Sequence, residues 1–383
     1  MLVTRKDIES LANTQSTTCV SIFIPTHRSG FDNSKIDNLT FRNALGKARG
    51  EMEKWGIAPS DLHNLLQPAY DLLEDESFWN HLSDGLAVFL NPGRFEYYEL
   101  PISFNTFVYV GQEFYLKPLL PMFAGDGRFF LLALSQNDVR FFEGTRHSIT
   151  PVRIKDVVPD NLEEILAFED RDATLQGRSD RAQYGSTIYH GHGLHKDVKE
   201  SQIKKYFREV DDGLMEFLFD ENAPMIIASV DHLAPVYREI TDYPNVMDFH
   251  VSGNPDHESP VELHEKAWDK MAPYFKARQR EAYDQFGEAK AQNKASSAIE
   301  KVVPAAVNGR VETLFVDKDD HNVWGFYDLT RNEVARQDER QRYSTCLLNL
   351  AAVRTFLQGG KVYNVTADEM PEASTPVNAI YRY

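Results

Sequence analysis

Cysteine is scarce: 383 residues contain two, Cys19 and Cys346. One pair cannot make the disulfide framework of a small secreted scaffold, and both residues sit among apolar neighbours, so they read as buried thiols. Long apolar runs are lacking too. The longest clean run, Phe129 to Leu134, falls far short of the ~20 residues a membrane-crossing helix needs. Met1 to Ser10 is polar and has no signal-peptide core, so a soluble cytosolic protein is expected. Positive charge is in deficit, with 41 Lys and Arg against 58 Asp and Glu and a net charge of −17. That balance argues against nucleic-acid binding over the whole surface but leaves room for a local patch. Phosphate-loop and dinucleotide fingerprints are absent, as is a nucleophile elbow around Gly185-Ser186, so neither an NTPase nor a serine hydrolase is expected. Internal repeats and low-complexity tracts are also missing.

Against this background one stretch stands out: Tyr189-His190-Gly191-His192-Gly193-Leu194-His195. It ends a polar segment without period, and an amphipathic helix pattern follows from about Lys196 to Phe219. From Arg171 to Arg208 eight Lys and Arg face four acids, a local excess of four positive charges inside an acidic chain. A glycine-rich loop opening a helix suits an anion, because backbone N–H groups and the positive dipole end converge there. Three readings of His190, His192 and His195 stay open on residue chemistry alone. They could hold a metal, although the spacing differs from known zinc-protease motifs and lacks a clear carboxylate or a helix to fix it. They could belong to an ordinary surface loop. They could contact RNA, with Tyr184 and Tyr189 stacking on bases and Arg178, Arg181 and Lys196 pairing with phosphates.

The rest of the chain alternates strand and helix signals, which predicts mixed sheets covered by helices. Cys19 to Ile24 is a strand closed by Pro25, followed by a polar loop from His27 to Ser34 and a helix to about Trp55. A second helix is expected over Asp61 to Leu73, then strands at Gly85–Leu90, Phe95–Leu100 and Phe104–Val110. Gly125-Asp126-Gly127 reads as a junction, and Phe129–Leu134 with Val139–Phe142 as a hairpin. A buried strand is expected at Met225–Val230, and a helix over Pro260 to Gly287 broken near Pro273. The final part offers a helix at Ser297–Val307, strands at Val311–Val316 and Val323–Tyr327, a helix over Tyr343 to Leu357, and closing strands at Lys361–Val365 and Ala379–Tyr383. Ser344, Thr345 and Asn349 read as ordinary helix residues.

The order and spacing of these strings resemble the class-one archaeo-eukaryotic release factors and Pelota. They are more similar still to the bacterial relatives, the family that contains the ribosome hibernation factor Balon. Ser21 to Pro25 followed by Asn33 to Leu45 is similar to the strand, recognition loop and helix of the release-factor N domain. Phe129 to Thr150 resembles the opening of the ribonuclease-H-like central domain. Ala289 to Val316, with Gly359 to Val365 and Ala379 to Tyr383, resembles the L30e-like third domain. The resemblance implies an α/β fold of three domains, at 1–124, 125–278 and 279–383. It also implies a monomer that binds the ribosome as a hibernation factor in the vacant A site. The loop at 176–195 would face the peptidyl transferase centre, with rRNA contacts from Arg178, Arg181, Tyr184, Tyr189, His190, Gly191, His192, Gly193, His195 and Lys196. His27, Arg28, Asn33, Lys35 and Arg42 would face the decoding centre, and the third domain would meet a translational GTPase, by analogy EF-Tu. One departure bears on chemistry. Release factors carry Gly-Gly-Gln before the long central helix, and this chain has that string nowhere. Neither a catalytic residue nor a cofactor or metal is expected. The alternatives are a peptidyl-tRNA hydrolase with a non-standard loop and, further off, a metal-dependent nuclease built on the three histidines.

Overall fold

A computed structural model describes residues 3–27, 31–80, 82–100, 102–124, 127–146, 149–155, 157–159, 161–163 and 192–383. The chain divides into two compact units. Unit 1 comprises Met1–Gly127 together with Tyr274–Tyr383, and unit 2 is Arg128–Pro273.

The first part of unit 1 opens with α1 (Arg5–Ala12), started by a capping box in which Thr4 and Asp7 satisfy each other's backbone N–H. Then come β1 (Gln15–Pro25), α2 (Phe31–Lys54), α3 (Pro59–Leu73), α4 (Glu76–Trp79), β2 (Gly85–Asn91), β3 (Arg94–Leu100), β4 (Phe107–Glu113) and α5 (Pro121–Ala124). The strands form an antiparallel sheet in the order β3-β2-β1-β4. From Thr18 to Ile24, β1 is buried without interruption. Side chains alternate across a strand, so such a run means that both faces are covered. Val20, Ile22 and Ile24 pack with α2 and α3 in one apolar cluster. Cys19 and Phe23 enter another, shared with Val302, Leu347 and Ala351 from the end of the chain.

Unit 2 contains β5 (Phe129–Leu134), β6 (Val139–Gly144), β7 (Ile149–Val152), α6 (His192–Leu218), β8 (Met225–Ser229), α7 (Ala234–Ile240) and β9 (Val246–Ser252). Its sheet runs β7-β6-β5-β8-β9. The hairpin strands are antiparallel, and β8 pairs parallel with both β5 and β9. Tyr206, Phe207, Val210 and Leu214 of α6 pack on Phe130, Leu132 and Leu134. The long helix α8 (Pro260–Ala291) crosses the boundary between the units.

The last part of unit 1 holds β10 (Ala295–Ser296), α9 (Ile299–Val307), β11 (Val311–Asp317), β12 (Trp324–Asp328), β13 (Glu333–Gln337), β14 (Thr345–Cys346), α10 (Leu347–Leu357), β15 (Lys361–Val365) and β16 (Val377–Tyr381). They build one sheet in the order β10-β16-β11-β15 and another in the order β13-β12-β14. Among the described residues the molecule is thus α/β, with two mixed sheets and two antiparallel ones.

Several expectations needed correction. Helix α2 starts at Phe31, inside the stretch read as loop, and α10 starts at Leu347 rather than Tyr343. Helix α8 is continuous through Pro273. Its apolar positions Leu263, Ala267, Met271, Phe275, Ala282 and Phe286 are all buried, and the same stripe on both sides of the proline outweighs one missing backbone hydrogen bond. The strands β7, β9 and β13 and the helix α7 had no assigned signal. Most of them are short, and β9 and β13 lack a clean apolar alternation.

Candidate nucleic-acid interface

At the end of β1, Thr26 is fixed to Ser83 through its hydroxyl and to Asp84 through its N–H. The next residue, His27, donates its backbone N–H to Asp37 Oδ2 at 2.8 Å, and its ring Nδ1 lies 2.7 Å from Asp37 Oδ1. Asp37 is buried. With both its backbone N–H and its ring Nδ1 against the Asp37 carboxylate, His27, half exposed, is held in one orientation.

Lys35 and Arg42 lie on α2 and line one groove with Asn38 and Leu39. Their spacing of seven puts them two turns apart on one face. Asn38 Nδ2 donates to Leu73 O at 2.8 Å, and Trp79 Nε1 to Leu72 O at 2.9 Å, which fixes the groove's floor and far wall. Glu74 and Glu76 line the same groove, of about 420 Å³, so its two cations face two carboxylates. Asn33 is half-buried on the first turns of α2. Arg28 lies outside the described residues.

In unit 2, Arg178, Arg181, Tyr184, Tyr189, His190 and Gly191 also lie outside the described residues. His192, Gly193, His195 and Lys196 fall in the opening turns of α6, which begins at His192. The loop expected to reach His195 thus ends earlier, and Gly193 has helical backbone. The helix is anchored by Asp211, a buried carboxylate. It accepts from Tyr237 Oη at 2.7 Å, Thr241 Oγ1 at 2.6 Å and the backbone N–H of Asp242 at 2.8 Å. Burial, with the carboxylate alongside, pushes the Tyr237 hydroxyl's pKa well above its usual value. Gly213 lets the chain cross close by: a Cβ there would overlap the Val157 carbonyl oxygen.

Further along the same helix, Lys204, Lys205 and Arg208 line a shallow cleft of about 520 Å³ with Glu200 and Ser201. Lys204 lies 3.4 Å from both Glu200 and Glu239, and these carboxylates raise its pKa. The three side chains belong to the basic segment seen in the sequence, but only the helix places them together. Among the described residues, no group of three His, Cys, Asp or Glu could hold a metal ion. No helix there is long and apolar enough to cross a membrane.

Sequence reasoning missed residues whose partners are remote. Asn349, taken for an ordinary helix residue, is buried, and its Oδ1 accepts from the N–H groups of Leu116 at 2.8 Å and Lys117 at 3.0 Å. Ser344 and Thr345 precede the helix instead of lying in it. Arg128 is buried between Glu143 and Glu221. No local pattern marks any of these.

Comparison with known proteins adds three findings. Residues 129–273 match the model of bacterial archaeo-eukaryotic release factor family 7. No curated protein matches. Among solved structures, a ribosome-bound archaeal Pelota with ABCE1 is 13% identical, with 78% of this chain and 77% of that chain covered and a TM-score of 0.39. The archaeal translation termination factor aRF1 is 12% identical over 100% of this chain and 99% of that one, with a TM-score of 0.26. Dom34 from S. cerevisiae, a translation termination-like factor that interacts with Hbs1, is 13% identical over 76% and 74%, with a TM-score of 0.35. The family match and unit 2 differ by a single residue at one end, so the part of this chain that is similar to bacterial archaeo-eukaryotic release factor family 7 is unit 2.

Proposed function

We propose that this protein is a ribosome-binding hibernation factor of release-factor kind, related to Balon, which occupies the vacant A site. The match of residues 129–273 to a release factor family model carries this reading. The segment around His27, Lys35 and Arg42 would meet the decoding centre, and the loop before α6 the peptidyl transferase centre. EF-Tu would be the partner of the C-terminal segment. The action is steric: the bound protein excludes aminoacyl-tRNA and makes or breaks no bond. The absence of Gly-Gly-Gln from the chain supports a role without hydrolysis. The Lys204, Lys205 and Arg208 face supports contact with phosphate. Several weak patches on one molecule reinforce each other through effective concentration, which reconciles binding with a net charge of −17.

The test is co-sedimentation of the purified protein with vacant ribosomes, with and without EF-Tu, alongside a peptide-release assay on loaded ribosomes. Binding without release is expected. Exchanging Lys204, Lys205 and Arg208 for glutamate should lower binding more at ~50 mM than at ~200 mM salt, because phosphate contacts release counterions. Failure to sediment with ribosomes, or efficient peptide release, would overturn the reading.

A further inference from the structure

A cleft of about 860 Å³ in unit 1 lies apart from every residue assigned above. Its size falls within the ~300–1,000 Å³ of sites that enclose small ligands. Thr17 and Thr18 of β1 line it, together with α3 and the turn from β2 to β3. Gly56 at φ 72° and Gly93 at φ 97° turn the chain at its rims, and a Cβ at either would meet nothing within 4 Å.

The lining is divided by chemistry. Ile57, Leu65 and Phe95 supply apolar and aromatic surface. Asp61 and Asn64 stand three residues apart on α3, hence on one face, and both line the cleft. Arg342 completes it. Its guanidinium lies 5.3 Å from the Tyr343 ring centroid, and among the described residues no carboxylate pairs with it. Arg94, by contrast, is neutralised by Glu96 at 2.8 and 2.9 Å and tied to Thr14 and Ser10.

We propose that this cleft binds a guanine nucleotide unit. A carboxylate only accepts hydrogen bonds and can take two donors side by side. Guanine alone among the common bases offers two adjacent donors on one edge, the ring N–H and the exocyclic amine. Asp61 would take that pair, Asn64 would donate to the neighbouring carbonyl, and Phe95 and Ile57 would cover the flat faces. Arg342 would pair with the phosphate, for which a guanidinium is well shaped. Adenine presents an acceptor where guanine has its ring N–H, so Asp61 would repel it. The unit could be a free nucleotide or a guanosine of single-stranded RNA. The inference goes beyond the ribosome-binding reading and does not depend on it.

Calorimetric titration of the full chain with GMP, AMP and CMP tests this. GMP should bind about tenfold tighter than AMP, the usual worth of one bidentate base contact. Asp61→Asn should abolish that preference, weakening GMP and relieving the repulsion of AMP. Arg342→Ala should weaken GMP but not guanosine. A labelled single-stranded oligonucleotide with one central guanosine separates the sources. Tighter binding than GMP, displaced by GMP, assigns RNA, whereas weaker binding assigns the free nucleotide. Equal affinity for GMP and AMP, a preference that survives Asp61→Asn, or no binding of any of them overturns the proposal.

Discussion

Removing the Asp37 carboxylate would leave two donors of His27 unpaired, the backbone N–H and the ring Nδ1–H. Asp37→Ala should cost ~1.5–3 kcal/mol, the usual worth of hydrogen bonds to a charged group, measured as a shift in the denaturant midpoint. It should also free the His27 ring and weaken ribosome binding beyond what the stability change explains. His321 offers a second test. Its Nδ1 lies 2.8 Å from the Tyr115 hydroxyl, and its ring centroid is 4.2 Å from that of Phe107. Burial, reinforced by the Lys117 ammonium, depresses its pKa to about 4 from 6.5. Between those values the unfolded chain binds more protons than the folded one, so stability rises with pH across that window. The contribution is fully present above pH 6.5 and is lost as pH falls toward 4. Thermal melts at pH 7.5 and pH 5 should differ, and His321→Gln should reduce the difference.

Helices and strands impose constraints that no single side chain reveals. Helix α6 is a plain amphipathic pattern in the sequence, with Ile203, Phe207, Val210, Leu214 and Phe217 at helical spacing; the first four are buried as expected, and Phe217 is exposed. Yet its packing turns on Gly213, an inconspicuous residue among acids. Gly213→Ala should push the 157–158 segment away and cost ~1–3 kcal/mol, the usual penalty for overpacking a tight contact. Loss of thermal stability in the transition of unit 2, with that of unit 1 unmoved, would be the signature. An unshifted melting curve would overturn the close crossing at Gly213. Strand β1 teaches the complementary lesson. Its run of apolar residues was legible as a strand, but which residues face which partner was not, because a fully buried strand shows no alternation in its sequence.

For the chain as a whole, the first and last segments share one core. Cys19, Phe89 and Tyr109 belong to the same apolar cluster as Val302, Leu348 and Val377. Polar contacts reinforce it. Lys117 Nζ donates to the carbonyls of Asp317 and Asp320, at 2.5 and 2.6 Å. Arg340 pairs with Glu51 at 2.9 Å and donates to the Val110 carbonyl. Its guanidinium lies 4.6–5.1 Å from the rings of Trp55, Tyr109 and Trp324. A chain ending at Pro273 should therefore expose the inner face of the first sheet. It should bind a hydrophobic dye and unfold without a sharp transition for residues 1–127. Adding residues 274–383 as a separate polypeptide should restore cooperativity. A sharp, dye-free transition in the truncated chain would show that the first segment needs no such cover.

The order of local strings along the chain carried the resemblance that led to a ribosomal reading, and periodicity and turn chemistry were enough to fix the class of fold, most strands, and the course of α3 and of α6 past its first turn. They act between residues a few positions apart, so a linear reading can find them. Folding alone decided that alternate side chains of β1 enter two cores, that α8 passes through Pro273, and that Asn349 holds a backbone segment 233 positions earlier. It also set Asp37 under His27 and brought Arg342 to the cleft of Asp61 and Asn64. Burial and pairing between distant groups depend on where the chain returns in space, and nothing in the neighbourhood of either partner records that return.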